Sequence, residues 1–179
     1  MNCNNCNNCN SSFIDVTGIC CPKDTSVVLE KYPYWTQMYI PETLCIPPQK
    51  PDIEEINAVN INVNILRQKV IKTPIANENL EGKQLTGRKL IVEGQLCQKV
   101  VYTACDEVQS VHSAHFYVPF SAYIVVPKTV EFNGETIDSC FVNYQVNACV
   151  EDLSIRLIDE RCFLKNVTLL LSAVPTQSC

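Results

Sequence analysis

From Thr25 onward, apolar and polar residues alternate along most of this chain with a period of two. Successive side chains of an extended strand point to opposite faces, so each alternating run predicts a strand with one buried face. The clearest run is Val59-Asn60-Ile61-Asn62-Val63-Asn64-Ile65, whose Val and Ile face a core and whose Asn residues form an exposed row. A second runs from Lys89 to Thr103. Leu90, Val92, Leu96, Val100 and Tyr102 share its inner face, and Lys89, Glu93, Gln95, Cys97 and Lys99 its outer one. A third, Val111 to Val126, turns Phe116, Val118, Phe120, Ala122, Ile124 and Val126 inward. A fourth, Cys140 to Val150, turns Val142, Tyr144, Val146 and Ala148 inward. Two shorter runs follow, Leu153 to Leu157 and Phe163 to Ala173, the latter burying Leu169 and Leu171. Parity shifts between Val150 and Ile155, which predicts a bulge or turn near Glu151-Asp152.

Turn chemistry separates the runs: Pro47-Pro48, Lys50-Pro51-Asp52, Glu81-Gly82 and Asn133-Gly134. Asn-Gly is the strongest hairpin signal. No convincing amphipathic helix is present, although Asp52 to Asn57 could form one turn after Pro51. The pattern predicts an all-β fold, an antiparallel two-sheet β-sandwich of jelly-roll-like type.

Residues 1–24 break the pattern. Cys3, Cys6 and Cys9 repeat in a Cys-Asn-Asn rhythm with almost nothing apolar to bury. This predicts a flexible Cys-rich connector arm over 1–24, with Phe13, Ile14 and Val16 as a short docking strand and Cys20-Cys21-Pro22 as its close. The domain then occupies 25–179.

The 12 cysteines are out of proportion to the 179 residues. A domain of this size buries roughly two-thirds of its unfolded surface and holds a core without disulfides. Abundant cysteine suits an oxidising compartment, yet the N-terminus has neither a basic patch nor an apolar segment of secretory type. Cytosolic metal binding, or synthesis in a cell that later lyses, would reconcile the two. The net charge of −5 and scattered Lys and Arg disfavour nucleic acid and anionic membranes as partners.

Cys3-x-x-Cys6-x-x-Cys9 imitates the opening of a ferredoxin cluster motif, but the fourth ligand is misplaced and no apolar shell surrounds it. Zinc is chemically possible. Intermolecular disulfides fit better, because a mobile arm can reach the short sulfur–sulfur geometry on a neighbour. His112 and His115 lie three apart on a strand and so point to opposite faces, which disfavours a shared metal. Cys105 stands beside Asp106 and Glu107, carboxylates that disfavour a reactive thiolate. No nucleophile elbow, phosphate loop or zinc-protease motif occurs, so the expectation is a non-enzymatic protein with no catalytic residues and no cofactor. The two glycosylation sequons, at Asn10 and Asn166, are read as chance matches.

Cys97, Cys149 and Cys162 stand on the polar parity of their strands. That places them to bond another chain, or a neighbouring strand on the same outer face. The candidates for intermolecular disulfides are Cys3, Cys6, Cys9, Cys20, Cys21, Cys97, Cys149, Cys162 and Cys179; the roles of Cys45, Cys105 and Cys140 stay open.

Several segments resemble the SPOCS domain family. They are Pro41-Glu42-Thr43-Leu44-Cys45-Ile46-Pro47-Pro48-Gln49-Lys50-Pro51-Asp52-Ile53-Glu54-Glu55-Ile56, Val70-Ile71-Lys72-Thr73-Pro74, Leu85-Thr86-Gly87-Arg88-Lys89-Leu90-Ile91-Val92-Glu93-Gly94, Val111-His112-Ser113-Ala114-His115-Phe116, Val118-Pro119-Phe120-Ser121-Ala122 and Lys165-Asn166-Val167-Thr168. The resemblance spans about Tyr34 to Pro175. It implies a role in spore coat or spore envelope assembly of clostridial-type spore formers, without enzymatic activity. Against the larger members of the family, the expectation is a single domain without a LysM module. Its arm is similar in style to the cysteine-bearing connectors of endospore appendage subunits. The resemblance also accounts for the compartment: spore-surface proteins are made in the mother cell cytosol and oxidised after lysis. The expectation is a self-assembling subunit of an appendage fibre, exosporium or coat layer. Its partners are copies of itself and possible coat or exosporium proteins. The alternatives are a metal- or Fe–S-binding protein using the N-terminal cysteines, and a carbohydrate-binding module using Trp35 with Tyr34 or Tyr39.

Overall fold

The computed structural model describes residues 14–20, 29–30, 34–77 and 84–176. Nine strands and one 3₁₀ turn account for nearly all of them: β1 (Asp15–Thr17), β2 (Trp35–Cys45), β3 (Ile53–Ala76), β4 (Leu85–Ala104), β5 (Val111–Val125), β6 (Thr129–Phe132), β7 (Glu135–Asp138), the turn Ser139–Phe141, β8 (Asn143–Leu157) and β9 (Cys162–Thr176). They form a two-sheet sandwich. One sheet has the order β1-β3-β4-β5, the other β2-β9-β8, and β6-β7 is a small hairpin at the side. The pairings within both large sheets are antiparallel, except that β1 runs parallel to β3. The edge strand β5 lies near β2, and β3 near β8.

The core forms where the inner faces meet. Val59, Ile61, Leu90, Val92, Leu96, Phe120, Val142, Tyr144, Leu169 and Leu171 are buried, as their parity predicts. Val63, Phe116 and Val118 are only partly buried and pack at the core's margin. Phe116 sets its edge against Phe163 at 5.6 Å between ring centres, a favoured aromatic geometry. The register of β8 on β9 slips between Val150 and Asp152, so the parity break at Glu151 is a β-bulge. Asn133 and Gly134 both take positive φ, 50° and 85°, and link β6 to β7 with Phe132 opposite Glu135, the backbone twist a two-residue hairpin needs.

One expectation is corrected and another is extended. The single helical turn considered for Asp52 to Asn57 is instead the start of β3, because Ile53, Ile56 and Val59 all reach the core when extended around register shifts near Glu55 and Ala58. The N-terminal segment, expected as a connector arm with a short docking strand at Phe13, Ile14 and Val16, does dock at Ile14 and Val16, which pack against the core, and it runs on into the sandwich as far as residue 20. Asp15, Val16 and Thr17 pair with Ala58, Val59 and Asn60 of one sheet. Ile19 then bridges to Val150 of the other, and the Cys20 amide donates to the Val150 carbonyl at 3.0 Å. The segment thus crosses from one sheet edge to the other. Gly18 makes the crossing possible: its φ is 100°, and a Cβ there would collide with the Ile61 carbonyl oxygen. Phe13 and the Glu81-Gly82 turn lie outside the described residues.

Candidate functional site

The cysteines separate into three groups. Cys20 and Cys149 form a disulfide with Cα atoms 5.5 Å apart. Cys45 and Cys162 form a second, with Cα atoms 4.1 Å apart. The expectation that Cys20, Cys149 and Cys162 bond other chains is corrected here. Each finds a thiol on its own fold, because the strands bring the partners face to face. Cys45 and Cys162 are direct cross-strand neighbours at the ends of β2 and β9. Cys149 points outward from β8 but is buried, since the crossing segment lays Cys20 over it. Cys97, Cys105 and Cys140 are free. Cys3, Cys6, Cys9, Cys21 and Cys179 lie outside the described residues.

Cys97 lies on a mostly polar face of β4 and its neighbours. Asn62 of β3 and Tyr117 of β5 flank it in register; one step each way lie Asn60, Lys99 and His115, and Asn64, Gln95 and Pro119. Its Sγ accepts from Asn64 Nδ2 at 3.3 Å and donates to Gln95 Oε1 at 3.8 Å. Tyr117 is 62% exposed. Cys105 is exposed at the end of β4, its amide donating to the Asp52 carbonyl at 2.9 Å. Cys140 lies in the 3₁₀ turn and lines a groove of about 230 Å³ between β3 and β8, with Gln68, Lys69, Leu90 and Tyr144. Arg88 and Asp138 form a bidentate pair beside it, at 3.0 and 2.5 Å. The Arg88 guanidinium, with the Cys140 amide, holds the Asp138 carboxyl well below the ordinary range.

His112 and His115 lie on opposite faces of β5. His112 stacks on Tyr102 at 5.9 Å and meets Ser110 Oγ at 3.0 Å, while His115 is exposed. Among the described residues, no group of three His, Cys, Asp or Glu side chains is placed to hold one metal ion. Trp35 and Tyr39 are exposed on one row of β2 with Gln37 between them. Gln37 donates to both carboxylate oxygens of the bulge residue Glu151, at 3.1 and 3.0 Å.

A group that the alternation did not single out lies between the sheets. Lys165 of β9 is fully buried, Gln98 of β4 is 2% exposed and the Glu42 side chain of β2 is 7% exposed. Lys165 Nζ is 2.5 Å from Glu42 Oε2 and also donates to Gln98 Oε1. Gln98 Nε2 donates to the same Glu42 Oε2 at 3.3 Å. Glu42 Oε1 is buried without a partner. The signal was present in the parity: Gln98 stands between Leu96 and Val100, and Lys165 between Phe163 and Val167, all four on the inner face.

The family model of the SipL SPOCS domain matches residues 52–158. The chain belongs to the SPOCS domain family. Membership points to a spore-related role. No curated protein and no solved structure matches the chain. The matched span begins at β3 and ends just past β8. The SPOCS sandwich of this chain nevertheless needs β9, the central strand of its second sheet, for Phe163, Val167, Leu169 and Leu171 of the core.

Proposed function

We propose that this chain is a non-enzymatic structural subunit of a spore-surface structure, an appendage fibre or an exosporium or coat layer, which assembles from copies of itself and is locked by intermolecular disulfides. The observation that carries this reading is a surplus of thiols. Two intrachain disulfides already close the sandwich, yet Cys97, Cys105 and Cys140 remain free, and Cys3, Cys6 and Cys9 precede the first strand. A thiol tethered near a partner has a high effective concentration, so oxidation traps even a weak contact. The edges of β8, β2 and β5, and the part of β3 that β1 leaves uncovered, offer backbone groups for such a contact. Assembly is tested by negative-stain microscopy and denaturing gels of oxidised recombinant protein, with and without reductant. Ordered polymers and a reductant-sensitive ladder are expected, with the ladder lost when Cys3, Cys6 and Cys9 are changed together to Ser. A protein that stays monomeric after oxidation at high concentration overturns the reading.

A second reading, carbohydrate binding, is favoured by the exposed pair Trp35 and Tyr39, since sugar rings stack on aromatic faces. Binding to spore or cell-wall glycans that Trp35→Ala abolishes would establish it instead.

A further inference from the structure

We propose that Lys165 and Gln98 become joined by an intramolecular isopeptide bond, with Glu42 as the proton carrier. The three side chains converge from three strands and both sheets. Lys165 Nζ already touches the Gln98 carboxamide through Oε1, and Glu42 Oε2 lies within reach of both the attacking nitrogen, at 2.5 Å, and the leaving nitrogen, at 3.3 Å. A group that touches both nitrogens can take a proton from one and hand it to the other. Turning the carboxamide about its terminal torsion, which is soft, presents the face of Cδ to Nζ.

The surroundings favour the reaction. A buried lysine–glutamate pair is costly to hold as ions, because the desolvation penalty competes with their attraction. Here it is left with one carboxylate oxygen, Oε1, that has no donor. Burial pulls Lys165 below the ordinary lysine value, against the upward pull of Glu42. A desolvated lysine is the activated form of this nucleophile. Lys165, Gln98 and the Glu42 side chain are all buried from water, so hydrolysis of the amide does not compete.

The step balances without any co-reactant. The Lys165 ammonium gives one proton to the Glu42 carboxylate. The neutral amine attacks Gln98 Cδ, forming the new C–N bond. A second Nζ proton passes by way of Glu42 to Gln98 Nε2, and the Cδ–Nε2 bond breaks. The products are a secondary amide, one ammonia and a neutral Glu42 carboxyl. Nothing is oxidised or reduced. The result ties the central strand β9 of one sheet to β4 of the other, and the tie survives reductant.

Intact mass of the fully reduced, denatured full-length protein tests this. The expected mass is lower than that of the sequence by one ammonia. Digestion should give one branched peptide joining the Gln98 and Lys165 segments, with no cleavage after Lys165. Glu42→Gln and Lys165→Arg should restore the full mass and leave both segments linear. A folded wild-type protein of β-type circular dichroism that shows the full mass, or loses ammonia while Gln98 and Lys165 stay in linear peptides, overturns the proposal. Because the wild-type measurement decides, failure of a variant to fold does not remove the test. Persistence of the branched peptide in a folded Glu42→Gln protein overturns the role given to Glu42.

Discussion

Asp138 does two things at once: its carboxylate pairs with Arg88, which is 8% exposed, and its Oδ1 accepts from the Cys140 amide at 2.9 Å to cap the 3₁₀ turn. Its folded proton affinity is depressed, so the folded state binds that proton more weakly than the unfolded chain does. The stabilisation is therefore complete above the unfolded carboxylate value of about 4 and is lost as pH falls below it toward the folded value. Asp138→Asn keeps a cap acceptor but removes the charge. Unfolding midpoints measured from neutral to strongly acidic pH should show a shallower acid decline in this variant than in the wild type; parallel declines would show that Asp138 does not carry the effect. Gly94 gives a second residue-scale prediction. It stands directly opposite Phe120 across β4 and β5, and an added Cβ would run into the Phe120 ring, with the Asn64 carbonyl 3.0 Å away. The ring fills the space that the glycine leaves. Gly94→Ala should cost about 1–3 kcal/mol by overpacking, and Phe120→Ala about 3–5 kcal/mol through the cavity it opens. Denaturant midpoints of both variants within error of the wild type would contradict this register.

Element by element, the local chemistry of the sequence was readable and the long-range partnerships were not. The alternation at Val59–Ile65 placed its inner face correctly, and Asn133-Gly134 and the parity break at Glu151 marked a hairpin and a bulge where both occur. The start of β3 was missed because Pro51 and the charged Glu54-Glu55 pair imitate a helix opening, whereas register shifts let an irregular strand bury Ile53 and Ile56. Parity also told which way Cys149 and Cys162 face. It could not tell that Cys20 or Cys45 would meet them, since the partners are 129 and 117 residues apart and meet only through the sheet order. The same limit hid the Glu42, Gln98 and Lys165 group, whose members come from three strands. These disulfides close long loops, and in the chain-entropy picture such a closure is worth up to about 5 kcal/mol. Changing Cys45 and Cys162 together to Ser should therefore lower stability by about 2–5 kcal/mol. The large core should still leave a β-type circular dichroism spectrum at room temperature. A variant that is unfolded under those conditions would mean that the core does not stand without the link.

At the scale of the whole molecule, the N-terminal segment is the piece that belongs both to the sandwich and to the proposed links between subunits. Its described part pairs with β3, crosses at Gly18, bridges to Val150 and ends in a disulfide on β8, so it fastens the two sheets along one side. Cys3, Cys6 and Cys9 lie ahead of that fastening. Two truncations separate the roles. Deleting residues 1–10 leaves β1, Ile19 and Cys20 in place and should change stability by no more than about 0.5 kcal/mol, while abolishing the reductant-sensitive ladder. Deleting residues 1–20 also removes β1, uncovers the β3 edge at Ala58–Asn60 and strips Cys149 of its partner. It should lower stability by about 2–5 kcal/mol from the lost disulfide alone and promote aggregation through the bared edge. Cys20→Ser in the full chain supplies the third arm: it should reproduce most of the stability loss while keeping β1 paired. If the longer truncation is as stable as the full chain, the crossing segment does not fasten the sheets. If the shorter one still forms covalent multimers of normal length, the links between subunits come instead from thiols outside residues 1–10, with Cys97, Cys105 and Cys140 the first to replace.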